Sequence, residues 1–175
     1  MKFVGSCVCY GGLNSMKSCF MFGHRNVPDM ILEKLIQTVE QLYLEKGITI
    51  FYVGGYGLFD SSAAAAVKAV REHFPEISLY QVTPYHPAAR PVILPEGYDG
   101  SFYPPLEGVP QRYAIVKANQ YMVKTCDAII CYVKHYGNSK ALLESALKQA
   151  KTRSLTIENI GLYFCADDEK QLYKE

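Results

Sequence analysis

Apolar residues in this chain come in short blocks, and the spacing within the chain alternates between two patterns. Ser18–Phe22, Ile48–Val53, Ile77–Val82 and Asp127–Val133 are apolar runs of strand length, and a fifth lies near Ser154–Ile160. Between them, apolar positions recur every three or four residues. Ile31, Leu32, Leu35, Ile36, Val39, Leu42 and Tyr43 predict a helix opened by Val27-Pro28-Asp29 and stopped by Gly47. An alanine-rich helix is predicted from about 61 to 73, ending before Pro75. A third, from about 109 to 124, runs through Tyr113, Ile115, Val116, Ala118, Tyr121, Met122 and Val123, and a fourth spans about 139 to 151. The span 84–110 is rich in proline and reads as irregular structure with local turns, a lid or binding loop or else a mobile one.

Alternating strands and helices with short apolar strands predict an α/β fold, a Rossmann-like three-layer α/β/α domain. Its sheet is mainly parallel and covered on both faces, in the order 3-2-1-4-5. Residues 16–160 form this one domain. Residues 1–15 precede a second natural start at Met16-Lys17-Ser18, and two readings stay open for them: a mobile extension or start-site artefact, or an extra edge strand at Lys2–Tyr10. The tail, 161–175, is charged and has no clear period.

The residues most unusual for plain packing all fall just after strands. Gly23-His24-Arg25 follows the first, Gly54-Gly55-Tyr56-Gly57 the second, Pro84-Tyr85 the third and Gly137-Asn138-Ser139 the fourth. Together they occupy the carboxyl edge of one sheet, where open α/β folds bind ligands. The glycine turn permits positive φ and close backbone approach, and Asp60 is an N-cap for the helix behind it. Such a turn either cradles an anion at a helix N-terminus or only shapes the chain.

Composition narrows the classes. A net charge of +1 gives no bulk electrostatic grip on nucleic acid or an acidic membrane. No apolar run reaches the roughly 18 residues of a transmembrane helix, and Gly11-Gly12-Leu13-Asn14-Ser15 interrupts too early for a signal peptide. A soluble, cytoplasmic protein is the expectation. The six cysteines, among them the C-x-C of Cys7 and Cys9, form no C-x-x-C pair, and the four histidines are dispersed. The thiols are therefore expected reduced and buried, with no metal and no cofactor.

Several segments resemble a known family. Cys19-Phe20-Met21-Phe22-Gly23-His24-Arg25 is similar to the "CFTGHR" start of SLOG-superfamily proteins of the YspA/YpsA-like type, and Gly54-Gly55-x-Gly57-x-x-Asp60 to their "GGA-x-G-x-D" segment. Tyr103-Pro104-Pro105-Leu106-Glu107, Arg112-Tyr113-Ala114-Ile115 and Asn119-Gln120-Tyr121-Met122-Val123 resemble the "YPPLE", "RFAI" and "RN-x-WMV" segments of one branch. The similarity spans about Met16 to Ile160. It implies a Rossmann-like fold related to the Lonely Guy phosphoribohydrolases and the DNA-processing Smf proteins, and a nucleotide or nucleotide-derived signal as ligand. Some members belong to phage-defence effectors that sense ADP-ribose-type molecules. Carried over by position, Gly23, His24, Arg25, Gly54, Gly55, Gly57, Asp60, Asn119 and Gly137 would surround that ligand. Gly137-Asn138-Ser139 departs from the family's "GGA" or "GGT", Ala118-Asn119 departs from "RN" with Lys117 as a substitute cation, and the "PGG-x-GT-x-x-E" hydrolase signature is absent.

Each candidate has a plain alternative. Arg25 suits a bidentate phosphate clamp or an ion pair to Asp60 or Glu107 that ties loops together. His24 suits a ribose or phosphate contact, acid/base work, or capping of neighbouring carbonyls. Asp60 is a cap or a ribose contact, and Asn119 a ligand contact or a loop brace. Gly137-Asn138-Ser139 presents amides to an anion or only caps its helix. Tyr85 and Tyr136 could stack on a base or simply pack. Pro84 and Arg112 complete the set of ligand-side residues. For catalysis, His24 and Glu107 are the candidates, with Glu144 a further acid to examine. The expected function is a module that senses or sequesters a nucleotide-derived, phosphate-bearing molecule. The alternatives are a nucleotide N-glycosidase or phosphoribohydrolase and, more weakly, a protein-interaction domain. A homo-oligomer is expected through an apolar helix face including Tyr113 and Met122.

Overall fold

The computed structural model describes residues 16–163, so the expectations for 1–15, for the tail beyond Tyr163 and for Cys7, Cys9 and Cys165 lie outside the described residues. Six strands and four helices follow one another as β1 (Lys17–Gly23), α1 (Ile31–Lys46), β2 (Ile48–Val53), α2 (Leu58–Arg71), β3 (Ser78–Val82), β4 (Gly100–Phe102), α3 (Gln111–Thr125), β5 (Ala128–Tyr132), α4 (Asn138–Ala150) and β6 (Thr156–Asn159). A 3-10 turn, Ile160–Tyr163, closes the described chain. The sheet order is β4-β3-β2-β1-β5-β6 and every pairing is parallel. The five strands read from the sequence thus stand in the expected 3-2-1-4-5 order, with β4 added beyond the third.

Strand alternation assigns each residue to a layer. Cys19 and Met21 of β1 face the cluster packed under α1 and α2, with Leu35, Val39, Phe59 and Val67. Phe20 and Phe22 face the opposite cluster, with Ala118, Met122 and Val123 of α3 and Leu142 and Ala146 of α4. Burial of one such large side chain contributes about 1.5–3 kcal/mol. β5 is buried along its whole length, as expected of a central parallel strand. Cys19, Cys126 and Cys131 are buried free thiols. Burial pushes Cys126 up to about 11 and Cys131 to about 12, and Cys19 well above its ordinary value.

Three sequence expectations need correction. The proline-rich span is not wholly irregular, because Gly100–Phe102 forms β4. It escaped periodicity because three residues carry no pattern; tertiary bonds hold it. The Thr83 amide donates to the Phe102 carbonyl at 2.8 Å, and the Asp99 carboxylate accepts from the Leu79 amide at 2.7 Å and pairs with Arg71 at 2.8 Å. Helix α1 starts at Ile31, whose amide donates to the Pro28 carbonyl, so Pro28 and Asp29 form a turn ahead of it. Its end is as expected, with Gly47 at φ 69°. Helix α2 starts at Leu58 with Gly57 as N-cap, so Asp60 is its third residue and not its cap.

No helix among the described residues is long and apolar enough to cross a membrane. Of the pair named for association, Tyr113 is half exposed but Met122 is buried in the core. The rule that places both on one face fails because α3 buries Ala114, Ala118, Met122 and Val123 and turns Tyr113 outward.

Candidate functional site

In this order the chain runs outward from β1 to β4, then returns to place β5 on the other side of β1. The crevice beside that reversal, at the carboxyl ends of the strands, is where such sheets leave room for a ligand. A cavity of about 420 Å³ occupies it, within the range of small-molecule sites. Its floor is the end of β1 and the turns after β1, β2 and β3; its walls are α3 from Ile115 to Gln120 and α4 from Asn138 to Ser145.

Ten of the sequence candidates line it: Gly23, His24, Arg25, Gly54, Gly57, Asp60, Pro84, Asn119, Asn138 and Ser139. Gly55, Tyr85, Glu107, Arg112 and Gly137 do not. Tyr85 instead lies 5.2 Å under the Arg90 guanidinium, and Arg112 lies over the ring of its neighbour Tyr113 at 4.8 Å. Glu107 and Glu144 are exposed and outside the lining. Tyr136 is 86% exposed, with Lys140 over its ring.

The glycines answer to the protein's own atoms. A Cβ on Gly23 would lie 2.6 Å from the Phe59 ring, and one on Gly54 would lie 2.7 Å from Asp60 Oδ2. One on Gly55 would meet the Gln81 amide, and one on Gly57 would sit 3.1 Å from the Arg25 Cα. Close approach is required here, but the approaching groups are Phe59, Asp60, Gln81 and Arg25.

Asp60 explains the turn. Its Oδ2 accepts from the Tyr56 amide at 2.9 Å, and the carboxylate also accepts from the Gly57 amide. Burial holds its carboxyl above the usual value, with those two amide bonds pulling the other way. The Leu58 amide is taken by the Arg25 carbonyl at 2.9 Å. The first amide of α2 is therefore taken from within the chain.

His24 is buried, 8% exposed. Its Nε2 accepts from the Lys134 amide at 2.9 Å and the His135 amide at 3.3 Å, and its ring stacks on His135 with centroids 3.6 Å apart. This nitrogen is engaged by backbone amides because the chain leaving β5 passes directly over the end of β1. Ser139 Oγ donates to the Gly23 carbonyl at 2.9 Å, a second tie between the same two loops. Arg25 is exposed, and among the described residues it forms no ion pair with Asp60 or Glu107.

Sequence reasoning missed the apolar wall. Ile115 and Val116, read from the sequence only as part of a helical pattern, line the cleft and are 40% and 44% exposed. The available signal was their adjacency: the buried stripe of α3 is already complete without them. Gln120, Ser145 and Tyr56 also line the cleft; Gln120 and Tyr56 sit inside segments singled out for their neighbours, and Ser145 in none. Among the described residues no group of three or more His, Cys, Asp or Glu is placed to hold a metal ion.

No protein-family model and no curated protein matches the chain by sequence. Solved structures do match by shape. The DNA processing protein A of Streptococcus pneumoniae superposes with a TM-score of 0.55 at 13% identity; the match covers 91% of this chain but spans only 62% of that one. The molybdenum cofactor binding protein of Rippkaea orientalis matches at a TM-score of 0.52 and 15% identity over 90% of this chain and 82% of that one. The molybdenum cofactor carrier protein of Chlamydomonas reinhardtii matches at 0.51 and 12% identity, over 91% and 99%. At such identities the likeness speaks to fold. With its all-parallel six-stranded sheet and two flanking helical layers, this chain shares with them a Rossmann-like three-layer α/β/α fold.

Proposed function

We propose that the cleft binds a nucleotide-derived, phosphate-bearing small molecule, such as an ADP-ribose-type or cyclic nucleotide signal, and that the chain senses or sequesters it. The observation that carries this reading is a cavity of about 420 Å³ whose lining includes both a guanidinium, Arg25, that forms no ion pair among the described residues, and an apolar wall, Ile115–Val116. A guanidinium grips phosphate oxygens in bidentate fashion, and the apolar wall suits the face of a base. Asn119, Gln120 and Asn138 add amides that can fix orientation. The resemblance to two proteins described as binding or carrying the molybdenum cofactor supports the coarser part of the reading, a small-molecule ligand held in this fold.

The glycosidase alternative has less behind it. Glu107 stands outside the cleft, and the His24 Nε2 is engaged by two backbone amides. The test is a thermal-shift and calorimetric screen against nucleotides, ADP-ribose, its cyclic isomers and cyclic dinucleotides, with Arg25→Ala alongside and each ligand recovered for chromatography. A ligand at about 100 times its Kd should stabilise the fold by roughly 2.7 kcal/mol. Binding that is lost in Arg25→Ala, with the ligand recovered intact, is the expected result. Recovery as base plus sugar phosphate would make the protein an enzyme, and absence of any shift would overturn the small-molecule reading.

A further inference from the structure

The glycine turn after β2 ends at a helix N-terminus, the usual seat of a phosphate in folds of this kind. In this chain an acidic side chain stands at that seat. Asp60, in the first turn of α2, folds back so that its own carboxylate accepts from the Tyr56 and Gly57 amides. Gly54 lacks a Cβ where one would strike Asp60 Oδ2 at 2.7 Å, so the turn is shaped around this carboxylate. The Leu58 amide is bonded to the Arg25 carbonyl. A second anion arriving here would meet a carboxylate of like charge, with the Tyr56 and Leu58 amides already in use.

Asp60 nevertheless lines the cavity. An ionised carboxylate accepts at about four positions and donates at none. Two are used by the amides, which leaves capacity for two donors from a ligand. Neutral groups that offer paired donors satisfy it, and a vicinal diol is the simplest of these. The Arg25 cation is on the neighbouring loop, its Cα 3.1 Å from where a Gly57 Cβ would stand. The cleft is thus polarised, with an acceptor at the α2 end and a cation beside it.

We propose that Asp60 makes the α2 end of the cleft a hydroxyl subsite that takes a ribose diol and excludes phosphate, directing the ligand's phosphate to Arg25. This rests on the nucleotide reading above and adds the ligand's orientation and its sugar: ribonucleotides bind, and their 2′-deoxy counterparts bind poorly. The test compares AMP with 2′-deoxy-AMP, and ADP-ribose with its 2′-deoxy analogue, by calorimetry on the wild-type chain and Asp60→Asn, with inorganic pyrophosphate as an anion probe. In the wild type each ribo ligand should bind at least about tenfold more tightly than its deoxy partner, the effect of one hydrogen bond to a charged group. Asp60→Asn should erase that preference and strengthen pyrophosphate binding, which a merely structural role for the carboxylate would not do. Equal affinity for ribo and deoxy ligands in the wild type would overturn the diol subsite while leaving nucleotide binding intact, and that comparison stands even if Asp60→Asn fails to fold. An unchanged preference in a folded Asp60→Asn, or pyrophosphate bound no better, would also overturn it. If none of the four nucleotides bound the wild type, the proposal would fall with the reading beneath it.

Discussion

Gly23, Asn159 and the buried cysteines show how far single residues are committed to the fold. A methyl at Gly23 would press into the Phe59 ring, which is buried. Gly23→Ala should cost about 1–3 kcal/mol, read as a fall in Tm of roughly 2–4 °C per kcal/mol for a chain this size. Asn159 is tied to three backbone groups: its Oδ1 accepts from the Val133 and Gly161 amides, and its Nδ2 donates to the Val133 carbonyl. Asn159→Ala should cost about 1–3 kcal/mol for the unmet Val133 groups, measured by urea unfolding. Cys19, Cys126 and Cys131 should resist alkylation at neutral pH in the native state and react on denaturation, checked site by site by mass spectrometry. Asp60 carries a pH signature of known sign. Its folded carboxyl is held above 3.8 by burial, so over the interval from there to its raised value the folded chain binds more protons than the unfolded one. Stability therefore falls as pH rises through that window. Asp60→Asn should flatten that part of the Tm–pH curve. The reduced, buried state of these cysteines was legible in the sequence; the roles of Gly23, Asn159 and Asp60 were not, because each depends on a partner 20 or more residues away or on the direction in which a side chain folds back.

At the scale of elements, legibility followed length. Helices and strands of five residues or more announced themselves by period, and only their ends moved, by up to three residues. The exceptions are instructive. β4 is held by Arg71, which reaches from α2 to the Gly97 carbonyl and the Asp99 carboxylate. Tyr52 contacts Phe102 at a centroid distance of 5.3 Å, and Phe102 contacts Tyr121 of α3 at 6.2 Å. Arg71→Met should leave the central strands intact while speeding amide exchange in residues 97–102, a local loosening read by hydrogen–deuterium exchange. Helix α3 misled in the opposite way. Its excess of apolar residues gave the correct period but no destination for Ile115 and Val116, which line the cleft and stand outside the buried stripe.

Across the whole molecule, the placing of the site followed from topology. Once the strand order was read, the loops after β1, β2, β3 and β5 had to share one edge, and most of the singled-out residues do meet there. Which of them face inward did not follow, because a one-residue difference in a turn sends Gly54 to the cleft and Gly55 to Gln81. The seam where the sheet reverses direction has a consequence of its own. At one end Ser18 and Asp127 exchange bonds, the Ser18 amide to Asp127 Oδ2 and the Asp127 amide to the Ser18 carbonyl, each at 2.9 Å. At the other end the His24 ring and the Ser139 hydroxyl close it. Stitched at both ends, the two wings of the sheet cannot spread to admit a guest. The floor of the cleft is preorganised, and the entropy lost on association falls on the guest and on mobile-ended side chains such as Arg25 and Tyr56, not on the backbone beneath them.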